Sequence, residues 1–138
     1  MSAEDRTLDE LLSLAANSEE CDSFRNAVRA RCTGEGSVKQ CYDSVAVETA
    51  RRFVAGDMPF DTADWVANQI YSAMLADGTE QGLEEYQFPP LAFEVFEAFD
   101  AGEFRRSGET GDPAETRTRP LLVELLARAG LEHESGPR

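Results

Sequence analysis

Trp65-Val66-Ala67-Asn68-Gln69-Ile70-Tyr71-Ser72-Ala73-Met74-Leu75-Ala76 carries no charged side chain, in a chain that is 29% charged. A helix without a charged face is one that its neighbours cover. The stretch therefore predicts a central, largely covered helix. Asn68, Gln69 and Ser72 fall on one side of it. A buried polar group left unpaired costs about 1–3 kcal/mol, so these three are expected to find structural hydrogen-bond partners.

Helical punctuation recurs on both sides of this stretch. Thr7-Leu8-Asp9-Glu10 reads as a capping box opening a short helix to about Ala16. Asn17 or Ser18 caps a second helix, in which Cys21, Phe24, Val28 and Cys32 recur at helical spacing until Gly34 and Gly36. Ser37-Val38-Lys39-Gln40 reads as another capping box. Val38, Tyr42, Val45, Ala46, Thr49 and Phe53 then share one face, and Gly56 ends that helix. Asp61 is placed to cap the central helix, with Phe60 and Trp65 spaced as a hydrophobic staple.

Downstream, Gly78 and Gly82 read as an acidic linker through Glu80, Glu84 and Glu85. Pro90 opens a fifth helix, since proline is tolerated in a first turn. Its core stripe is Leu91, Ala92, Val95, Phe96 and Phe99, and Gly102 ends it. Phe53-Val54-Ala55-Gly56-Asp57 and Phe99-Asp100-Ala101-Gly102-Glu103 echo each other, as two helices closed by a left-handed glycine would. Asp112-Pro113-Ala114-Glu115 is a further cap. Pro120 leads into an apolar last helix with Leu121, Leu122, Leu125 and Leu126, closed by Gly130. No β-alternation stands out, so the expected fold is all-α: a single compact domain of five to seven helices over residues 1–131, with a flexible tail over 132–138.

At 138 residues such a chain buries roughly two-thirds of the surface its unfolded form exposes, enough for one core. The net charge of -14 favours solubility and repels nucleic-acid phosphates and anionic membranes. No run approaches the length of a membrane span, and the N-terminal residues lack the pattern of a signal peptide. Lys39 is the only lysine among 13 basic residues, a bias expected of a GC-rich, bacterial genome. Arg51-Arg52, Arg105-Arg106 and Arg117/Arg119 are expected to serve as ion-pair partners. The cysteines Cys21, Cys32 and Cys41 are odd in number and form no C-x-x-C pair. Reduced thiols in the cytoplasm are expected; Cys32 and Cys41 flank the turn at Gly34-Glu35-Gly36, where a bridge is geometrically conceivable.

His133, near the end of the chain, is the single histidine among 27 acidic residues. The body of the fold thus has no imidazole for a catalytic triad or for the usual zinc and di-iron sites. No P-loop, dinucleotide fingerprint or EF-hand loop occurs. No catalytic, metal or cofactor residue is assigned.

The fifth helix has a second face. Glu94, Glu97 and Asp100 fall together away from its core stripe, with Phe93 beside Glu97 and Asp100. With Glu84 and Glu85 upstream, these six form the candidate binding surface: an aromatic anchor among carboxylates suits a partner with basic and apolar surface. Ten of the twelve aromatics lie between Phe53 and Phe104, which points to the same region. The leading expectation is a small acidic cytoplasmic interaction module of the immunity or inhibitor type, binding a basic protein partner and neither nucleic acid nor membrane. Self-association as a homo-oligomeric scaffold subunit is an alternative. So is an enzyme: Glu97-Ala98-Phe99-Asp100 resembles the E-x-x-D motif of the all-α nucleotide pyrophosphohydrolases. That resemblance implies Mg²⁺-dependent phosphohydrolysis with Glu97 and Asp100 holding the ion. It covers this one motif, and the upstream acids Glu80, Glu84 and Glu85 lack the E-x-x-E spacing that accompanies it in the family.

Overall fold

Six α-helices make up the computed structural model, which describes residues 3–32, 34–104, 108 and 110–134, without the side chains of 3–5, 35 and 131–134. They are α1 (Ala3–Asn17), α2 (Asp22–Arg31), α3 (Glu35–Ala55), α4 (Phe60–Gln81), α5 (Pro90–Ala101) and α6 (Arg119–Glu134), and a π-helical segment, Ala114–Thr118, runs directly into α6. Among the described residues there is no strand. The chain is all-α, as its caps and periodicity predict.

The uncharged stretch lies in α4, which packs against α1, α2, α3 and α5. Ala63, Val66, Ala67, Ile70, Ala73 and Met74 are its buried apolar side chains. They meet Leu11 and Ala15 of α1, Phe24 and Val28 of α2, Tyr42, Val45 and Ala46 of α3, and Ala92, Val95 and Phe99 of α5 in one core cluster. Burying each of the larger of these side chains stabilises by about 1.5–3 kcal/mol. Neighbours on several sides leave little need for a charged face. Coverage is nevertheless incomplete: Trp65 is 45% exposed and Leu75 38%.

Gln69 and Asn68 on α4 find the partners expected of them. Buried Gln69 donates from Nε2 to the Ser18 carbonyl at 2.6 Å, and Trp65 Nε1 donates to the same oxygen at 3.1 Å. One carbonyl with two lone pairs thus pins the α1–α2 connection to the central helix. Asn68 Nδ2 donates to the Asp64 carbonyl at 2.8 Å, while Ser72 is exposed.

Several helix ends differ from the local sequence signals. α1 begins at Ala3, so the Thr7 box lies inside the helix; Asp9 and Glu10 instead pair with Arg52 and Arg31 from α3 and α2. α3 begins at Glu35, ahead of the Ser37 box, after Gly34 at φ 89°. α4 begins at Phe60, which puts Asp61 in the first turn, where its charge still meets the helix dipole. Phe60 packs on Phe53 and Phe99, with centroids 6.0 and 5.8 Å away. α5 has no side-chain cap of its own; half-buried Asp43 of α3 accepts from the Ala92 N–H at 2.8 Å instead.

The expected linker at Gly78 is helix. α4 continues to Gln81, and Gly78 is buried because a Cβ there would stand 2.9 Å from Leu83 and 3.0 Å from Tyr86. Gly130 does not close α6, which runs on to Glu134; the start of the expected tail is therefore helical, and residues 135–138 lie outside the described residues, as do Arg105-Arg106 and the side chain of His133. The Asp112 cap forms, with Oδ1 accepting from the Ala114 N–H at 3.0 Å.

The two echoed glycines serve different ends. Gly56 closes α3 in the left-handed region at φ 84°. Gly102 closes α5 at φ −93°, where any residue is at ease. Its missing Cβ makes room: a methyl there would lie 2.1 Å from Thr118 Oγ1. Thr118 is fully buried and donates to the Ala98 carbonyl at 2.7 Å, docking the π-helical segment on the end of α5. Arg119 ties in the end of α3, donating to the Val54 carbonyl at 2.8 Å with its guanidinium 4.7 Å from the Phe53 ring centroid.

Candidate functional site

α4 and α5 run antiparallel, and the seam between them changes character along its length. On α4, Asp64, Asn68, Tyr71 and Leu75 follow one another at spacings of three and four, so they share a face. On α5, Phe93, Phe96 and Asp100 do the same. Every one of these side chains is half-buried or exposed, so the seam is surface rather than core.

The middle of the seam is aromatic. Tyr71 and Phe96 stack with centroids 4.0 Å apart and planes within 7°. Phe88 adds to the stack 6.2 Å from Tyr71, and Tyr86 meets Phe88 edge-on at 5.2 Å. Phe93 lies 5.5 Å from Phe88 and 6.4 Å from both Tyr71 and Phe96. Such ring pairs contribute about 0.5–1.5 kcal/mol each beyond the area they bury. The cluster is thus held rigid while its outer edges stay accessible.

One end of the seam is acidic. Asp64 of α4 stands near Asp61, Asp100 and Glu103. Burial, then the hydrogen bond to Glu103, then the charges of Glu103, Asp100 and Asp61 push the Asp64 carboxyl up to about 8. Two carboxyl oxygens can share a hydrogen bond only with a proton between them, so the Asp64–Glu103 pair shares one. Its Oδ1 is buried and meets no donor among the described residues. Asn68 Nδ2 reaches Glu103 Oε2 at 3.3 Å. Among the described residues, the charges that act on Asp64 are those of carboxylates.

The candidate residues read from the sequence divide over two sides of α5. Phe93 sits half-buried in the aromatic cluster, and Asp100 is exposed at the acidic end. Glu94 turns toward α6 and pairs with Arg128 at 2.6 Å. It shares with Glu97, Leu121, Glu124 and Arg128 a groove of about 280 Å³ between α5 and α6. Glu84 and Glu85 are exposed in the α4–α5 connection. Glu97 and Asp100 therefore look toward different neighbours, and Glu80 is taken up by Arg25 and Arg29 at 2.7 and 3.5 Å. Among the described residues no group of three or more His, Cys, Asp or Glu side chains is arranged to hold a metal ion.

Tyr71, Asp64 and Glu103 belong to the seam without having been assigned to a site by the sequence, and Phe96, expected in the core stripe of α5, lies half-buried in the seam against Tyr71. The spacing of Asp64, Asn68 and Tyr71 marks a shared face, yet which helix would lie against it is not a local property.

The far end of α4 holds a second charge cluster, and here carboxylates meet guanidinium groups. Asp77 accepts from Arg25 Nε at 2.5 Å and from the Tyr42 hydroxyl at 2.7 Å. The Arg25 and Asp77 side chains are only 12% and 7% exposed. Burial works against the Arg25 charge, but hydrogen bonds to Glu80 and Asp77 outweigh it and hold the guanidinium more firmly protonated than usual. Burial, with the hydrogen bond to Asp77, likewise raises Tyr42, so it stays a donor. The cluster ties α2, α3 and α4 together, which is structural work.

Most of the other arginines form surface ion pairs, Arg51 and Arg52 with Glu48 and Arg119 with Glu115. Exposed pairs of this kind contribute little each. No helix among the described residues is long and apolar enough to cross a membrane. Comparison with known proteins finds no matching family model, no matching curated protein and no matching solved structure.

Proposed function

We propose that this chain is a cytoplasmic interaction module of the inhibitor or immunity type, and that the α4–α5 seam docks a basic, partly apolar surface of a protein partner. The observation that carries this reading is the seam itself. A half-exposed aromatic cluster adjoins an acidic group in which burial and the carboxylates Glu103, Asp100 and Asp61 raise the Asp64 carboxyl. An arginine or lysine from a partner would supply a counter-charge, and an apolar neighbour would cover Phe93 and Phe88. The net charge of -14 adds long-range steering, which raises association rates for a cationic partner and fades with salt.

The test is capture from native lysate followed by binding kinetics with the purified partner. Phe93→Ala is expected to weaken binding by about 2 kcal/mol, as truncated anchors do. Asp100→Lys is expected to slow association, and salt to shrink the difference. Binding that is indifferent to both substitutions and to salt would rule the seam out. A second copy of this chain as the captured partner would replace the inhibitor reading with self-assembly.

A further inference from the structure

The α2–α3 turn brings two thiols together. Cys32 closes α2 in an extended conformation, at φ −120° and ψ 137°. The chain doubles back through Gly34 at φ 89°, and α3 then carries Cys41 alongside. Both cysteines are free and half-buried, pack against the core and line one cavity with Leu8, Leu11, Arg31 and Gln40. Their side chains interact through charge and hydrogen bonding. Cys32 also lines a second cavity, of about 260 Å³, on its other side, so it can be reached from solvent. Cys21 precedes α2 at that helix's opposite end.

We propose that Cys32 and Cys41 form an oxidisable dithiol, closed to an intramolecular disulfide by exchange with a low-molecular-weight disulfide. The Cys32 thiolate attacks one sulfur of the reagent RSSR, forming a mixed disulfide and expelling RS⁻. Cys41 then attacks the Cys32 sulfur and expels the second RS⁻. In total two protein thiols are oxidised by two electrons, and RSSR is reduced to two RSH. The order follows from the surroundings. Burial first, then the charge and hydrogen bond of Cys32, push the Cys41 thiol up to about 12, so it is the poorer first nucleophile. Once Cys32 is in the mixed disulfide, its contribution to that shift disappears and Cys41 can act as the resolving thiol. The bridge would lock the end of α2 to α3 across the Gly34 turn.

The probe is oxidised glutathione, applied to the full chain and read by alkylation, intact mass and peptide mapping without reductant. Free thiols should fall from the three of the reduced protein to Cys21 alone, with a Cys32–Cys41 peptide that dithiothreitol reverses. Cys41→Ser should stall at a stable glutathione adduct on Cys32. Cys32→Ser should take up glutathione at Cys41 at least about tenfold more slowly. Circular dichroism of both serine variants confirms that they are folded before the comparison is made. Bridges through Cys21, bridges between chains, or three unreacted thiols at excess oxidant would each overturn the proposal.

Discussion

Asp64 and Asp77 stand near opposite ends of α4, and the two ends treat a carboxylate in opposite ways. Asp77 is the more buried, yet Arg25 and Tyr42 meet both of its oxygens. Asp64 is less buried, yet Asp61, Asp100 and Glu103 surround it and its carboxyl is pushed up to about 8. Burial alone therefore does not decide the fate of a charge; the sign of its company does. At the Asp77 end the charges complete one another and hold three helices together. At the Asp64 end the described residues bring carboxylates together beside a half-exposed aromatic cluster. The first arrangement stabilises this chain by itself, and the second gains most when a cation arrives from outside.

The contrast is broken most severely at Asp77. Asp77→Ala would leave Arg25 without its closest counter-ion and Tyr42 without an acceptor, and breaking a buried pair costs about 3–5 kcal/mol. Denaturant unfolding should show that loss, with α2 loosening from α4. A cost below about 1 kcal/mol would mean that the cluster is solvated and contributes no more than the surface ion pairs do.

At the other end the same type of substitution should have the opposite sign. Asn at position 64 keeps a donor for Glu103 and carries no charge. The folded protein binds the Asp64 proton more tightly than the unfolded chain, whose carboxyl titrates near 3.8. This contribution to stability is therefore present below about pH 4 and is lost as pH rises toward 8. Asp64→Asn should remove that slope and gain about 1 kcal/mol at pH 8, a figure discounted for solvent screening. Thermal melts of both proteins between pH 5 and 9 check this. A variant less stable than the parent at pH 8 would show that Asp64 is already compensated.

How much of this can be read from residues alone follows the range of the forces involved. The central place of α4 is legible because an uncharged run is a local property with a global cause. The half-exposed edge at Trp65 and Leu75 is not, since it depends on where neighbouring helices stop. Gly56 and Gly102 carry the same local signal and mean different things. One supplies a left-handed turn, while the other vacates space for Thr118, which lies in a different element. The capping box at Thr7 misleads for a related reason: its acids are recruited by Arg52 and Arg31 across the fold. The candidate site was half legible. Phe93 and Asp100 are visible on one helix face, whereas Tyr71, Asp64 and Glu103 join them only through the α4–α5 packing. Glu94 and Glu97 share a helix with Phe93 but turn to the α6 side, because a helix has more faces than one interface uses. The proximity of Cys32 and Cys41 could be anticipated because only a glycine turn separates their helices.

The most direct measurement is the titration of the Asp64 carboxyl itself, followed by NMR of its side-chain carboxyl carbon, with Asp64→Asn used for assignment. A midpoint near 8 is expected if the acidic end of the seam lacks a counter-charge. A midpoint in the ordinary aspartate range, about 4, would mean that this end is as well matched as the Asp77 end, and the contrast on which the docking proposal rests would be gone.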